Sequence, residues 1–348
     1  MARKTPETDD RITLSAIAAL AAVSLSTVSK VLNGRGDVAS STRGKVEKLL
    51  TENGYIRRGD ADAAAPVIEL VFHMLDSAWA VEVIRGVGRV ARANKLSIVL
   101  TESGDRHSPG PEWIEGVLRR NPAGVILVFS ELSDTYKSQL LMRGIPFVVV
   151  DPAGDPAPDV PSIGSANWSG GVAATRHLIE LGHTRIGMIS GPLDMMCSTA
   201  RLSGYRAALE GAGLTYDASL IGFGNFQPDG GRSAGMKLLD RPDRPTAIFA
   251  GSDLQAVGVY EAARALKLSV PEDLSVVGYD DLPVARWVGP PLTTVRQPLV
   301  EMAEEAAKLV LAMRRNPSME VRRMDLATSL VVRHSSARLV RETSDAVQ

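Results

Sequence analysis

The chain has 348 residues, of which 45% are hydrophobic and 23% charged, and its formal net charge is −1. These values are typical of a soluble globular protein with two or three domains, and they show no global basic character. Because Cys197 is the one cysteine, no disulfide framework can form within the chain. No apolar run has the length of a membrane span or of a signal-peptide core, so we expect a cytoplasmic protein.

The charge is unevenly distributed along the chain. Residues 11–58 contain eight Lys or Arg and three Asp or Glu, a net charge of +5, so the remainder is net negative. A short basic segment on an acidic body is typical of local contact with nucleic-acid phosphates. Clustering by chance is the alternative explanation.

Residues 13–56 predict three short helices with apolar residues at helical spacing. The predicted N-caps are Thr13, Ser24 and the pair 41–42, and the second and third helices end at the Asn-Gly pairs 33–34 and 53–54. Only Ala22 and Val23 separate the first helix from the cap of the second. Such a tight turn between amphipathic helices is typical of a helix-turn-helix.

Residues 59–66 have the composition of a connector, and the pattern beyond them changes. Short apolar runs predict strands at 67–74, 96–101, 124–129, 147–150, 185–189, 246–250 and 275–279. Amphipathic segments predict helices at 81–93, 113–119, 170–181, 201–210, 230–239, 254–266 and 299–313. This alternation indicates parallel α/β sheets, and its length favours two doubly wound lobes with a ligand between them at the carboxyl ends of strands.

The second helix has the features of a DNA-recognition helix. Its predicted inner face is apolar, with Val28, Val31 and Leu32. Its predicted outer face, which would enter the major groove, carries Leu25, Ser26, Ser29 and Lys30. Predicted phosphate contacts come from Ser24, Thr27, the helix N-terminus, Arg11, Arg35, Arg43 and Lys45. A generic three-helix bundle with an exposed Ser/Thr face is the alternative.

The order of these residues resembles the lactose repressor (LacI/GalR) family of transcription regulators. The matching strings are Thr13-Leu14-x-x-Ile17-Ala18 and Val23-Ser24-x-x-Thr27-Val28-Ser29-x-Val31-Leu32-Asn33, and the likeness continues to about residue 340 through residues 181–187, 201–205, 273–281 and 291–297. The resemblance implies an all-α helix-turn-helix headpiece and an α/β core of two doubly wound parallel-sheet lobes, similar to periplasmic binding proteins. Three crossovers would join the lobes, near residues 171–182, 294–297 and 326–329.

The resemblance also implies a domain order. We expect a headpiece at 1–58, a hinge at 59–66, an effector-binding and dimerisation core at 67–340 and a tail at 341–348. The amino-terminal lobe would hold about 67–176 and 296–327, and the carboxy-terminal lobe about 177–295 and 328–340.

For DNA, the resemblance places Leu25 and Ser26 where the family reads base edges and Tyr55 near the DNA backbone. Lys30 falls where the family contacts a base or a phosphate, and phosphate is the more frequent outcome for lysine. The complete predicted set of DNA-binding residues is Thr13, Ser24, Leu25, Ser26, Thr27, Ser29, Lys30, Asn33, Arg35, Tyr55, Arg57 and Arg58.

For the effector, sugars are held by carboxylates, amides and guanidinium groups and by aromatic rings against their apolar face. The resemblance places Asn167, Arg201, Phe226, Ser252 or Asp253, and Asp280 at effector-binding positions. Asp76 and Trp79, which follow the first strand of the core, are candidates from the opposite lobe, and Trp287 is a further aromatic candidate. Alternatives stay open: Arg201 as an inter-lobe ion pair, Asp253 as a helix cap, and Trp79 as a core or subunit-interface residue. We expect Asp281 to be structural and Cys197 not to act as a nucleophile.

The hinge departs from the family, where a leucine is inserted between base pairs in the minor groove. Ala64 stands at that position and is too short to act as a wedge, while Gly59 weakens a helix. Asp60 and Asp62 would repel phosphate, so we expect weak kinking at the operator centre, with compensating backbone contacts from the arginines at 57 and 58.

The sequence therefore predicts a ligand-responsive DNA-binding transcription regulator, a repressor of carbohydrate-utilisation genes released by a mono- or oligosaccharide. It would act as a nucleoid-associated homodimer on pseudo-palindromic operator DNA, without cofactor, metal or membrane. Whether the effector induces or corepresses is open. One alternative, a solute-binding protein of sugar uptake, is disfavoured by the headpiece and the missing signal peptide. Another, an α/β enzyme, is disfavoured because the chain offers no Walker-type loop, nucleophile–base pair or metal-ligand spacing.

Overall fold

The computed structural model describes residues 12–32, 37–53, 55, 64–75, 78–104, 109–129, 131–320 and 322–340. Six predicted site residues lie outside the described residues, namely Arg11, Asn33, Arg35, Arg57, Arg58 and Asp76. The predicted hinge at 59–66 is described only from Ala64 onward.

The three predicted headpiece helices are confirmed as α1 (Leu14–Ala21), α2 (Leu25–Leu32) and α3 (Ser40–Glu52). Thr13 caps α1 by accepting a hydrogen bond from the Ala16 N–H at 3.2 Å. The turn after α1 is tight, and Ala22 adopts a left-handed φ of 55° there, a conformation that costs a non-glycine residue energy. Ile17 and Val28 are fully buried between the helices.

Among the described residues, no single helix is both long and apolar enough to cross a membrane. Of the helices that the structure describes, α1 and α2 taken together reach that length and composition, and they are bent by 106° at their junction.

The remaining helices and strands alternate along the chain. The strands are β1 (Ala65–Phe72), β2 (Ser97–Glu102), β3 (Pro122–Val128), β4 (Phe147–Val150), β5 (Ser162–Ser165), β6 (Ile186–Ser190), β7 (Ile221–Phe223), β8 (Ala247–Ala250), β9 (Ser275–Asp280), β10 (Thr293–Arg296), β11 (Arg323–Leu326) and β12 (Ser329–Val331). The helices are α4 (Ala78–Ala93), α5 (Pro111–Arg120), α6 (Asp134–Met142), α7 (Asn167–Glu180), α8 (Met196–Gly211), α9 (Pro228–Leu239), α10 (Asp253–Ala265), α11 (Val284–Trp287) and α12 (Leu299–Arg315).

The described strands form two six-stranded sheets, in the orders β11-β5-β4-β3-β1-β2 and β12-β10-β9-β8-β6-β7. β1 pairs in parallel with β2 and β3, and β6 pairs in parallel with β7 and β8. β10 pairs in parallel with β9, whereas β12 joins β10 antiparallel at the edge. β3 and β9 are buried along their whole length, as strands covered by helices on both faces must be. The predicted fold class is confirmed.

The chain passes from the first sheet to the second at residue 166 and again at residues 327–328. The sequence placed the earlier passage near 171–182, which is several residues too far along the chain. Those residues belong to α7, which begins at Asn167 and packs on β10 and β12 of the second sheet. The predicted lobe boundary at residue 176 therefore falls inside a helix.

The chain divides into two compact units, whose described parts lie within Met1–Leu75, Val87–Val149 and Glu305–Val321, and within Asp76–Gly86, Val150–Glu304 and Arg322–Gln348. In the first unit, Met142 of α6 packs into the headpiece core, and Gln139 donates to Glu47 of α3 at 3.4 Å. The second unit contains the second sheet and its two apolar clusters. Arg201, Asn167, Asp151 and Asp280 all lie in this second unit.

Candidate DNA-binding and effector-binding sites

Helix α2 presents the predicted recognition residues on its outer face. Its inner face is buried, because Val28, Val31 and Leu32 pack against α1 and α3. On the other side Leu25 is 50% exposed. Ser26 and Lys30 are exposed as well. A half-exposed leucine at the start of a recognition helix is suited to contact with base edges or thymine methyl groups.

Hydroxyl groups cluster at the amino-terminus of α2. Ser24 caps the helix by accepting from the Thr27 N–H at 3.1 Å, and its Oγ lies 2.8 Å from the Thr27 hydroxyl and 2.7 Å from that of Ser26. Donors at a helix amino-terminus are suited to a phosphate. The structure thus brings these three predicted DNA-binding residues together.

Lys30 and Tyr55 occupy different environments. The Lys30 ammonium lies 2.7 Å from the Asp37 carboxylate, and both side chains are about half exposed. An exposed ion pair of this kind contributes little to stability, so Lys30 can exchange Asp37 for a DNA group at small cost. Tyr55 is partly buried against the headpiece core.

Arg201 of α8 is the centre of a group of contacting residues that we call the Arg201 cluster, formed by Asn167, Gly251, Tyr279, Phe226, Asp280 and Asp151. Its Nε donates to Asn167 Oδ1 at 2.8 Å and one terminal nitrogen donates to the Gly251 carbonyl at 2.6 Å. The guanidinium lies 3.8 Å from the centre of the Tyr279 ring and 5.8 Å from that of Phe226. Arg201 is only 3% exposed, so this cation is held almost wholly by protein groups.

Two glycines allow α7 and α8 to approach closely enough to build this cluster. A Cβ at Gly171 would lie 2.4 Å from the Arg201 carbonyl oxygen, and one at Gly204 would lie 2.2 Å from that of Trp168. Neither position can carry a side chain without separating the helices. The contact places Arg201 beside Asn167, the first residue of α7.

Two buried carboxyl groups face this guanidinium. Asp280, at the end of β9, lies 4.0 Å from Arg201 and accepts from Gln297 Nε2 at 2.6 Å. Gln297 Oε1 in turn accepts from the Ser165 hydroxyl at 2.7 Å. Asp151, which directly follows β4, accepts from Asn167 Nδ2 at 3.5 Å.

Burial raises the pKa of both carboxyl groups and so favours their uncharged form. It raises the pKa of Asp280 to about 7, although Arg201 and the Gln297 hydrogen bond act against the rise. It raises the pKa of Asp151 to about 6, with Arg201 and Asn167 again opposing it. One cation therefore faces two acids that change charge near neutral pH.

Ser252 and Asp253, which follow the end of β8, form hydrogen bonds to residues of other elements. Ser252 caps α10 by accepting from the Gln255 N–H at 3.1 Å, and it donates to the Phe226 carbonyl at 3.0 Å. Asp253 accepts from the Thr294 hydroxyl at 2.5 Å and from the Leu282 N–H at 2.7 Å. Burial, and then the nearby Asp280, raise its pKa. The helix cap is therefore Ser252, and both oxygens of Asp253 already have protein donors.

The two predicted tryptophans differ in exposure. Trp79 of α4 is 7% exposed. Trp287, at the end of α11, is 79% exposed and lines a cavity of about 300 Å³ that also contains Asp280 and Gln297. Asp281 accepts a hydrogen bond from Arg333, in line with its expected structural role.

Sequence reasoning missed Asp151, Gln297 and Tyr279. Asp151 had a usable signal, because it directly follows the buried strand at 147–150, as Asp280 ends its own strand. Cys197 is buried beside the cluster, and burial raises the pKa of its thiol to about 12, so the thiol stays protonated and is a poor nucleophile.

The chain combines a helix-turn-helix headpiece with two α/β sheets, and a polar cluster with aromatic rings lies at the strand ends. This combination defines a class of protein, namely DNA-binding regulators with a small-molecule site. Comparison with known proteins identifies the family. Residues 13–58 match the model of bacterial regulatory proteins of the lacI family, and residues 175–336 match that of the periplasmic binding protein-like domain. The chain belongs to the LacI family of transcription regulators.

Three relatives illustrate the likeness. The HTH-type transcriptional regulator CelR of Thermobifida fusca is 37% identical over 338 residues, covering 93% of this chain and 98% of the relative. A structure of the CelR–cellobiose complex is 36% identical, covers 94% of this chain and all of that one, and superposes with a TM-score of 0.71. The lac repressor dimer bound to operator and the anti-inducer ONPF is 26% identical, with coverages of 94% and 100% and a TM-score of 0.68.

Proposed function

We propose that the protein represses carbohydrate-utilisation genes and leaves its operator when a neutral sugar binds at the Arg201 cluster. The single observation that supports this most is the buried guanidinium of Arg201 beside two carboxyl groups, an amide and two aromatic rings at the carboxyl ends of parallel strands. A solved structure of CelR, which the chain matches over 94% of its length, is a complex with cellobiose.

The chemistry of the cluster favours a neutral polyol. Carboxylates such as Asp151 and Asp280 accept hydrogen bonds from hydroxyl pairs, and the amide of Asn167 both donates and accepts. An anionic ligand would add charge to a buried site that already has more acids than bases, which is costly. Aromatic faces suit the apolar side of a sugar ring.

We assign the primary contacts to Arg201, Asp280, Asn167 and Phe226, and we add Asp151. The other predicted effector residues remain predictions, namely Asp76, Trp79, Ser252, Asp253 and Trp287. Of these, Asp253 has both oxygens engaged by protein donors, which favours a supporting role.

On DNA, α2 enters the major groove with Leu25 and Ser26 at base edges and Lys30 at a base or phosphate. A homodimer places two headpieces on a pseudo-palindromic operator in the cytoplasm, associated with the nucleoid and without enzymatic turnover. The sugar lowers operator affinity because it binds the DNA-free conformation more tightly, as linkage requires.

The test uses Arg201→Lys, which keeps a cation beside Asp280 but loses the planar fork that binds Asn167 and Gly251. We expect the wild-type melting temperature to rise with at least one sugar of a panel, and the variant to lose that rise while keeping its affinity for operator DNA. The matched control is Arg206→Lys, an exposed arginine on the same helix, which should behave as wild type. Loss of operator binding in Arg201→Lys would show that Arg201 has a structural role instead.

A further inference from the structure

We propose that the effector site extends into a second compartment that holds the second ring of a disaccharide. We call it the lateral pocket, and it is lined by Asp151, Asp155, Trp168, Met196, Arg323 and Asp325. This inference rests on the proposed sugar-responsive function and adds to it a class of effector and a set of specificity-determining residues.

The lateral pocket is continuous with the Arg201 cluster. It has a volume of about 490 Å³ and lies between the loop after β4, the first turns of α7 and α8, and strand β11. Asp151 and Asn167 belong to both compartments, since each lines the pocket and each contacts or faces Arg201. The volume is within the usual range for ligand pockets, so a ring bound at Arg201 has room for a linked ring here.

Trp168 gives the pocket an aromatic wall. It is the second residue of α7, and its backbone carbonyl makes the close contact with α8 at Gly204. The packing of the helices therefore uses the backbone of Trp168, while its side chain is left 50% exposed beside the cavity. Met196, 38% exposed, adds a second apolar surface. An indole face exposed beside a polar cavity is suited to cover the C–H face of a pyranose ring.

Asp151 gives the pocket a buried acceptor that lacks a donor. The residue is 2% exposed, and among the described residues its Oδ2 has no hydrogen-bond partner. A buried carboxylate oxygen without a donor is costly. A ligand hydroxyl in the lateral pocket would supply that donor and relieve the cost.

The lining of the lateral pocket carries both positive and negative side chains. Arg323 lies 3.5 Å from Asp155, and its guanidinium also donates to the Ala157 carbonyl at 3.3 Å. Asp325 stands on the same strand as Arg323. Because three acids and one base line the pocket, it favours the hydroxyl groups of a neutral ring over a carboxylate or phosphate substituent.

The experiment compares Trp168→Ala with Phe223→Ala in the full-length chain by isothermal titration calorimetry. Phe223 is the matched control, since it is 55% exposed and lies on the edge strand β7, away from the lining of the lateral pocket. Ligands are cellobiose, maltose and lactose, with glucose and galactose as single rings. Melting temperatures of both variants verify that they fold.

We expect the wild-type protein to bind one of these disaccharides at least tenfold more tightly than either monosaccharide. Trp168→Ala should lose about tenfold in disaccharide affinity, the loss of one aromatic contact of about 1.4 kcal/mol, with monosaccharide affinity unchanged within twofold. Phe223→Ala should leave every affinity unchanged.

Two results would overturn the inference and leave the proposed function standing. One is a Trp168→Ala variant with the wild-type ratio of disaccharide to monosaccharide affinity. The other is a wild-type protein that binds monosaccharides but none of the three disaccharides. A protein that binds no sugar of any kind would overturn the proposed function and this inference together.

Discussion

Replacing Arg201 by methionine should destabilise the protein in a manner that depends strongly on pH. Methionine retains an unbranched side chain over the Tyr279 ring but removes the cation and its hydrogen bonds to Asn167 and Gly251. Asp151 and Asp280 then remain buried without a neighbouring positive charge. Breaking a buried charge pair in this way costs about 3–5 kcal/mol, which is less than the stability of a typical folded domain.

The pH dependence follows from the two carboxyl groups. Their pKa values of about 6 and about 7 in the folded protein lie above the ordinary value for aspartate. The folded state therefore binds protons that the unfolded state releases, and its stability falls as pH rises from about 4 to above 7. Removing the cation raises both pKa values further. If each rises by about one unit, the variant loses about 3 kcal/mol more at pH 8.5 than at pH 5.

The assay is urea denaturation of the wild type and Arg201→Met at pH 8.5 and at pH 5, with free energies of unfolding from linear extrapolation. We expect the difference between the two proteins to be large at pH 8.5 and to shrink at pH 5, where the carboxyl groups are protonated and need no cation. A difference that is the same at both pH values would refute the reasoning, because it would mean that Arg201 does not act by balancing these charges.

Two further substitutions test the headpiece and the packing of the second unit. Lys30→Ala should weaken operator binding in an anisotropy titration. If Lys30 contacts a phosphate, the slope of log affinity against log salt should also fall by about 1. Lys48→Ala on α3 is the control, and a Lys30→Ala titration that matches the wild type would contradict the role assigned to Lys30. Gly170→Ala should cost about 1–3 kcal/mol in urea denaturation because the new Cβ would lie 2.3 Å from the Tyr279 hydroxyl. Gly44→Ala, with open space around its Cβ, should instead gain a few tenths of a kcal/mol or more, and equal effects of the two glycine substitutions would argue against the packing described for α7.

The headpiece was predictable from sequence because local signals decide it. The capping residues Thr13 and Ser24 and the apolar spacing of α2 do not depend on distant parts of the chain. The long strands of the core were predictable for a similar reason, since a strand buried on both faces is apolar throughout.

Five strands, β5, β7, β10, β11 and β12, were not predicted, because tertiary pairing and not composition makes them strands. β10 and β11 carry threonine, arginine and aspartate, and β5, β7 and β12 have only three or four residues. Each is held by its neighbour in the sheet, as β12 is by antiparallel pairing with β10. Local propensity cannot show such pairing.

The Arg201 cluster was predictable only in part. The family resemblance supplied Arg201 and Asp280, and the position after a buried strand would have supplied Asp151. The lateral pocket had no comparable signal, because Trp168 and Arg323 are far apart in sequence and meet only through β5 and β11. Nothing in the sequence distinguishes Trp168 from other residues of predicted helices. Its exposure beside the lateral pocket is visible only in the structure.

The central claim is that a sugar bound at the Arg201 cluster controls operator affinity. Its most direct test is a fluorescence anisotropy titration of the full-length protein against a duplex that the protein itself selects from random-sequence DNA, with and without a saturating concentration of the sugar that raises the melting temperature most. We predict that the sugar weakens operator binding at least tenfold, a coupling of about 1.4 kcal/mol or more. Operator affinity that is unchanged, or tightened, with the sugar bound would contradict the account.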